Sequence, residues 1–188
     1  MHPRLEEVLN YLDTERSALR DAVKLIPPAL RDQSPGTDRW SVGQVLQHLV
    51  MIEKRIGLGV TKWVVDSRDR GLGPETETSS VMNSLPLQLI ADRSQPRSAP
   101  AEFRPKDDLD AASAWTALEQ TRAALRAGVL AGDGLALGEV IQPHLVLGPI
   151  NLYQGLLFVG SHEARHTAQV REIAAELNAG SNKAVSSV

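Results

Sequence analysis

The chain has 188 residues and a mass of 20.4 kDa, the size of one ordinary domain. Hydrophobic residues make up 42% and charged residues 23% of it, close to the globular average, which excludes disorder, collagen and coiled coil as the overall class. Twenty Lys and Arg against 23 Asp and Glu leave a net charge of −3, and aromatics are few, so no basic face interleaved with rings is available and no nucleic-acid partner is expected. The absence of cysteine removes disulfides, thiolate metal ligands and a cysteine nucleophile together. Catalysis would then rest on histidine, carboxylates, hydroxyls or a bound metal. No apolar run approaches the ~18 residues of a membrane span, so no membrane partner is expected. The opening Met1-His2-Pro3-Arg4-Leu5-Glu6-Glu7 lacks the apolar core of a secretory signal, and the expected location is cytoplasmic.

Apolar residues at Leu5, Val8, Leu9, Leu12, Leu19, Ala22, Val23 and Ile26 follow the 3-4 spacing of a buried helical stripe, and Pro27-Pro28 stops it. Arg16 and Arg20 on this helix are read as solvated or salt-bridged surface. A second helix starts at Ser41-Val42-Gly43-Gln44, where Ser41 and Gln44 form a capping box and Trp40 can staple onto Val45. It continues through Leu49, Ile52, Ile56 and Trp63 and fades near Asp66 to Gly71. Residues 71–110 carry five prolines and no sustained period; a structureless loop that long is unusual, so short helical turns are expected near Val81–Ile90.

The third helix is expected at about Leu109 to Leu130, with Ala114, Leu118, Thr121 and Leu125 facing in, and Gly132-Asp133-Gly134 ends it. A connection with Pro143, His144, Gly148 and Pro149 leads to a second reciprocal cap at Asn151-Leu152-Tyr153-Gln154. The fourth helix then runs to Asn178, with Gly180 as its C-cap. No run of alternating strand residues is evident. The pattern predicts an all-α fold, a four-helix bundle, with residues 1–180 as one domain and 181–188 as a disordered tail. The run Trp63-Val64-Val65 is either a face for pairing or, as a lone apolar run more often is, core; a homodimer is expected.

The chemistry lies in the histidines. His162 and His166, four apart on one helix, rise side by side on the face that also holds Gly155, Val159, Ile173 and Leu177. Two imidazoles on an apolar stripe need partners, and a shared metal would satisfy both. His48, on or beside the buried stripe of the second helix, is a third candidate ligand; whether the three rings meet depends on packing.

The segment Trp40-Ser41-Val42-Gly43-Gln44-Val45-Leu46-Gln47-His48-Leu49 resembles the "W-S…HL" segment of the DinB-like four-helix-bundle family. Leu152-Tyr153-Gln154-Gly155-Leu156-Leu157-Phe158 followed by His162-Glu163-Ala164-Arg165-His166-Thr167-Ala168-Gln169 is similar to its closing helix, and Ala99-Pro100-Ala101-Glu102-Phe103-Arg104-Pro105 to its approach to the third helix. The resemblance implies an up-down-down-up bundle with a divalent metal held by His48, His162 and His166. Gly155 stands where the family often has Trp, which implies a larger pocket. Three neutral imidazoles suit Zn²⁺ or Ni²⁺ and leave open positions, the pattern of a catalytic site. The family implies a metal-dependent hydrolase or a small-molecule thiol S-transferase using a low-molecular-weight thiol; the alternative is a non-catalytic, dimeric metal- or ligand-binding bundle.

His162-Glu163-Ala164-Arg165-His166 also fits HExxH, the zinc-protease motif in which the Glu activates water. The metzincin extension would need Gly and His where the chain has Gln169 and Glu172, and no sheet edge for an extended substrate is evident. Glu163 is therefore either a catalytic base or pocket group, or a solvent-facing or Arg-paired carboxylate. His144 is either a pocket-lining residue, as a substrate contact or an extra metal ligand, or an ordinary loop residue. Gln169, one turn beyond His166, is a candidate hydrogen-bond donor behind the ligands or an ordinary polar residue inside the bundle.

Overall fold

Leu5, Val8, Leu9, Leu12, Leu19, Ala22 and Val23 are all buried along one helix, α1 (Pro3–Lys24), in a computed structural model that describes residues 1–95, 97–106 and 108–185, with side chains through residue 179. Leu25 closes it just before the two prolines, as their missing donors require. The second helix, α2 (Val42–Asp69), opens with the full capping box: the Gln44 amide donates to Ser41 Oγ at 3.2 Å and the Ser41 amide to Gln44 Oε1 at 2.8 Å. A short α3 (Leu87–Ala91) follows a 3-10 turn at Met82–Ser84, which meets the expectation of helical turns in this stretch. Next come α4 (Ala111–Leu130), capped by Asp110, and α5 (Leu152–Val185), capped by the reciprocal Asn151–Gln154 pair.

Cross-helix contacts give the directions. Arg122 reaches the Leu12 carbonyl while Arg16 reaches that of Leu118, so α1 and α4 run antiparallel. Glu53 meets Arg122, and Gly57 and Thr61 face Leu125 and Gly128, so α2 and α4 run parallel. Arg4 lies over Tyr153, Tyr11 against Gly160 and Arg16 on Glu163, so α1 and α5 run parallel. The all-α bundle is thus up-down-down-up. Gly128 permits the α2–α4 approach, since a Cβ there would lie 2.2 Å from Thr61 Oγ1.

Parallel neighbours such as α2 and α4 need a long crossover, and residues 70–110 supply it. Glu7 accepts from Ser80 Oγ at 2.6 Å and from the Val81 amide at 2.9 Å, Gln154 donates to the Ser84 carbonyl at 2.8 Å, and Ser161 to that of Leu87 at 2.7 Å. The strap therefore lies across α1 and α5. It ends with a 3-10 turn at Ala101–Phe103 beside α2.

Three expectations are corrected. The connection before α5 contains an antiparallel hairpin, β1 (Ile141–His144) with β2 (Gly148–Asn151). Pro143 pairs opposite Pro149, and two prolines in strands of four residues conceal the alternation that marks a strand. His144 thus ends a strand, and its Nδ1 accepts the amides of Val146 and Leu147 at 3.2 and 3.1 Å to shape the turn. Secondly, α5 does not stop at Gly180 but continues to Val185; an interior glycine costs about 1 kcal/mol without ending a helix. Residues 186–188 of the expected tail lie outside the described residues. Thirdly, Arg16 is not a surface residue: it is buried at 5% exposure. Within the run Trp63-Val64-Val65, Val64 is fully in the core and only Val65 is exposed.

Candidate metal centre

Because α2 and α5 run antiparallel, the early part of α2 meets the middle of α5, and His48 comes against His162 and His166. The Nε2 atoms of His48 and His166 each lie 3.3 Å from His162 Nε2, and one ligand atom from each of the three residues falls within 4.8 Å of the others. The ring centroids are 4.6–5.1 Å apart. His48 is 3% and His166 7% exposed, and His162 is partly buried.

The tautomers follow from the other ring nitrogens. His48 Nδ1 lies 2.7 Å from the Phe103 carbonyl, which can only accept, so it carries the proton. His166 Nδ1 lies 2.8 Å from Gln169 Oε1, and the Gln169 oxygen also takes a guanidinium N–H from Arg93 at 3.5 Å, which orients the amide as an acceptor. His48 and His166 therefore present unprotonated Nε2 atoms, and both point at His162 Nε2. A single N–H on His162 can serve only one of them, whereas a cation among the three would take all three lone pairs. The donor set fits a divalent ion.

Electrostatics favour the same state. Burial, followed by the nearby His48, Arg165 and His144, depresses the pKa of His162 to about 3. Burial, then His162 and His48, holds His166 well below its ordinary value, and burial lowers His48 despite its bond to Phe103. All three rings are neutral at physiological pH, as ligation requires.

The model of the DinB superfamily matches residues 11–170, a span that contains all three histidines. The chain belongs to the DinB superfamily. A curated relative, the uncharacterized protein YuaE of Bacillus subtilis (strain 168), is 29% identical over 143 residues, which cover 76% of this chain and 82% of YuaE. No solved structure matches this chain.

In this DinB-superfamily chain the remaining candidates fall into separate places. Glu163 does not face the imidazoles. At 2% exposure it lies in the bundle interior, with Oε1 taken by Arg16 and Oε2 by Arg122 at 2.6 Å. Its carboxylate is thus paired with arginines and buried, not solvent-facing. His144 stands one ring away from the cluster: its edge meets Phe158 at 4.3 Å between centroids, and Phe158 stacks on His162 at 5.5 Å. Gln169 does stand behind a candidate ligand, His166, as an acceptor rather than a donor. Gly155 does not open a larger pocket, because the side-chain amide of the buried Gln142, on β1, fills the space; a Cβ at 155 would lie 2.6 Å from Gln142 Nε2.

Sequence reasoning missed several participants. Trp40, read as a staple, also tilts against His48 with 5.2 Å between centroids. Phe158 forms the wall beside His162, and Phe103 supplies a carbonyl from the distant end of the strap. A backbone carbonyl has no sequence signature. Arg16, Glu53 and Arg122 did have one, because each interrupts an apolar stripe.

Proposed function

We propose that this protein is a divalent-metal enzyme, with Zn²⁺ or Ni²⁺ held by His48, His162 and His166, that transfers a small thiol to an electrophilic substrate. The observation that carries the reading is the convergence of three Nε2 atoms, two of them deprotonated by fixed partners on the opposite ring nitrogen. When bound, such an ion supplies Lewis acidity that lowers the pKa of an incoming oxygen or sulfur nucleophile.

The protein's own residues favour the thiol branch over hydrolysis. Water activation by an HExxH motif needs a free carboxylate beside the ion, and both oxygens of Glu163 are engaged by buried guanidiniums. A thiol brings its own readily ionised proton and needs less help from a base. Phe103 and Gln169 hold the rings of His48 and His166 in orientation, while the rings of Trp40 and Phe158 pack against His48 and His162.

Metal-stripped protein without an affinity tag is titrated with Zn²⁺ and Ni²⁺ at about pH 7.5 and then assayed for loss of free thiol against a panel of electrophiles. One equivalent per chain is expected, abolished by His48→Ala and by His166→Ala, with thiol consumption that depends on the metal. No uptake would sink the reading. Stoichiometric uptake without metal-dependent turnover would leave a binding protein, the non-catalytic alternative.

A further inference from the structure

Arg16 on α1, Glu53 on α2, Arg122 on α4 and Glu163 on α5 form a closed ring of charge inside the bundle, each 2–5% exposed. Arg16 bonds Glu163 and, at 2.8 Å, Glu53; Arg122 bonds Glu53 and, at 2.6 Å, Glu163. All four carboxylate oxygens receive a guanidinium, and the two remaining guanidinium arms cap the Leu118 and Leu12 carbonyls at 3.1 and 2.8 Å. Burial opposes the charge on Arg122, but Glu163 and Glu53 outweigh it and hold the guanidinium more firmly protonated than usual.

The ring divides the core. Leu5–Leu12, Val60, Val64, Leu125, Val129 and the start of α5 pack on one side; Leu19–Ile26, Val42–Leu49, Ala111–Leu118 and Val170–Ala174 pack on the other. On every long helix the charged residue is the boundary between the two apolar clusters. It is also adjacent to the candidate ligands, since Glu163 directly follows His162 and precedes His166 by three, while Glu53 lies five residues after His48.

We propose that this ring is the positioning device of the metal centre: it fixes the axial register of α2 against α5, and with it the spacing of the three Nε2 atoms. Apolar side chains tolerate small slides, because hydrophobic contact is not directional. Two carboxylates forked between two guanidiniums do not, because a slide of one residue's rise, about 1.5 Å, would break bonds on both sides of the displaced helix at once. Metal ligation demands donors placed to about 0.2 Å, which non-directional packing does not ensure. Apolar residues could give comparable stability at these positions, so register is the property the charges add.

The inference rests on the metal reading above, and the test separates the two. Co²⁺ binding, followed by the position and intensity of its visible bands, is compared for the wild type, Glu163→Gln, Glu53→Gln and a control, Leu5→Ala, whose cavity lies in the far apolar cluster. The ring variants are expected to bind Co²⁺ at least ~10-fold more weakly with altered bands, while the control loses similar thermal stability and keeps wild-type affinity and spectrum. Wild-type affinity in Glu163→Gln, or an equal loss in Leu5→Ala, would overturn the positioning role while leaving the metal centre standing. No uptake by the wild type would overturn both. Should the single variants fail to fold, the uncharged quadruple replacement R16M/E53L/R122M/E163L takes their place; a folded quadruple with wild-type affinity overturns the proposal, and a folded one with weakened affinity supports it.

Discussion

Acidification of the metal-free protein tests directly how the imidazoles are held. Burial and neighbouring charge keep His162 neutral down to about pH 3, and His166 is likewise held well below its ordinary range. In the unfolded chain both rings titrate near 6.5. As pH falls below that value the unfolded state gains protons that the folded state refuses, so stability is full above it and declines toward the folded pKa values. At pH 5 the loss is about 2 kcal/mol for His162, against a typical total of 5–15 kcal/mol, and His166 adds a loss of the same sign. Urea unfolding of stripped protein at pH 7 and pH 5, compared with H162L/H166L, isolates this contribution from that of the carboxylates. The wild type is expected to lose at least about 2 kcal/mol more than the double variant over this interval. Equal losses would refute the claim that the fold holds both rings uncharged.

Other perturbations probe the surroundings. Gln169→Leu removes the acceptor that fixes the His166 tautomer, and metal affinity measured by calorimetry should fall about 10- to 100-fold while the melting temperature barely moves. Gly128→Ala places a methyl group 2.2 Å from Thr61 Oγ1 in a tight helix contact and should cost about 1–3 kcal/mol by denaturant titration. Gly155→Ala meets only the movable end of Gln142 and should cost less than about 1 kcal/mol; the reverse order of the two glycine variants would contradict the packing described.

The site was legible where function lies on helical periodicity. His162 and His166 share a face because 3.6 residues make a turn, and His48 follows a cap that sets its helix in phase, so the candidate ligands could be picked from spacing. Glu163 was less legible. Judged by angle from His162 it flanks the stripe, yet α5 is wrapped by α1, by α2 and by the strap of residues 70–110, so a much wider arc than one stripe is buried. Arg16 shows the same limitation. Taken alone, an arginine reads as surface, but its place in the series Leu5, Leu9, Leu12, Arg16, Leu19, Val23 is a core position. Glu53, Arg122 and Glu163 interrupt the other long helices in the same way, with two charges of each sign.

The sequence by itself determined the long helices, their N-terminal caps, the apolar stripes and the three imidazoles, because these depend on contacts within a few residues along the chain. Tertiary structure alone decided that Phe103 fixes the His48 tautomer, that Gln142 fills the space at Gly155, and that four charges from four helices close into one ring. Those outcomes join residues from thirteen to more than a hundred positions apart, and their energies exist only once burial has removed water from both partners.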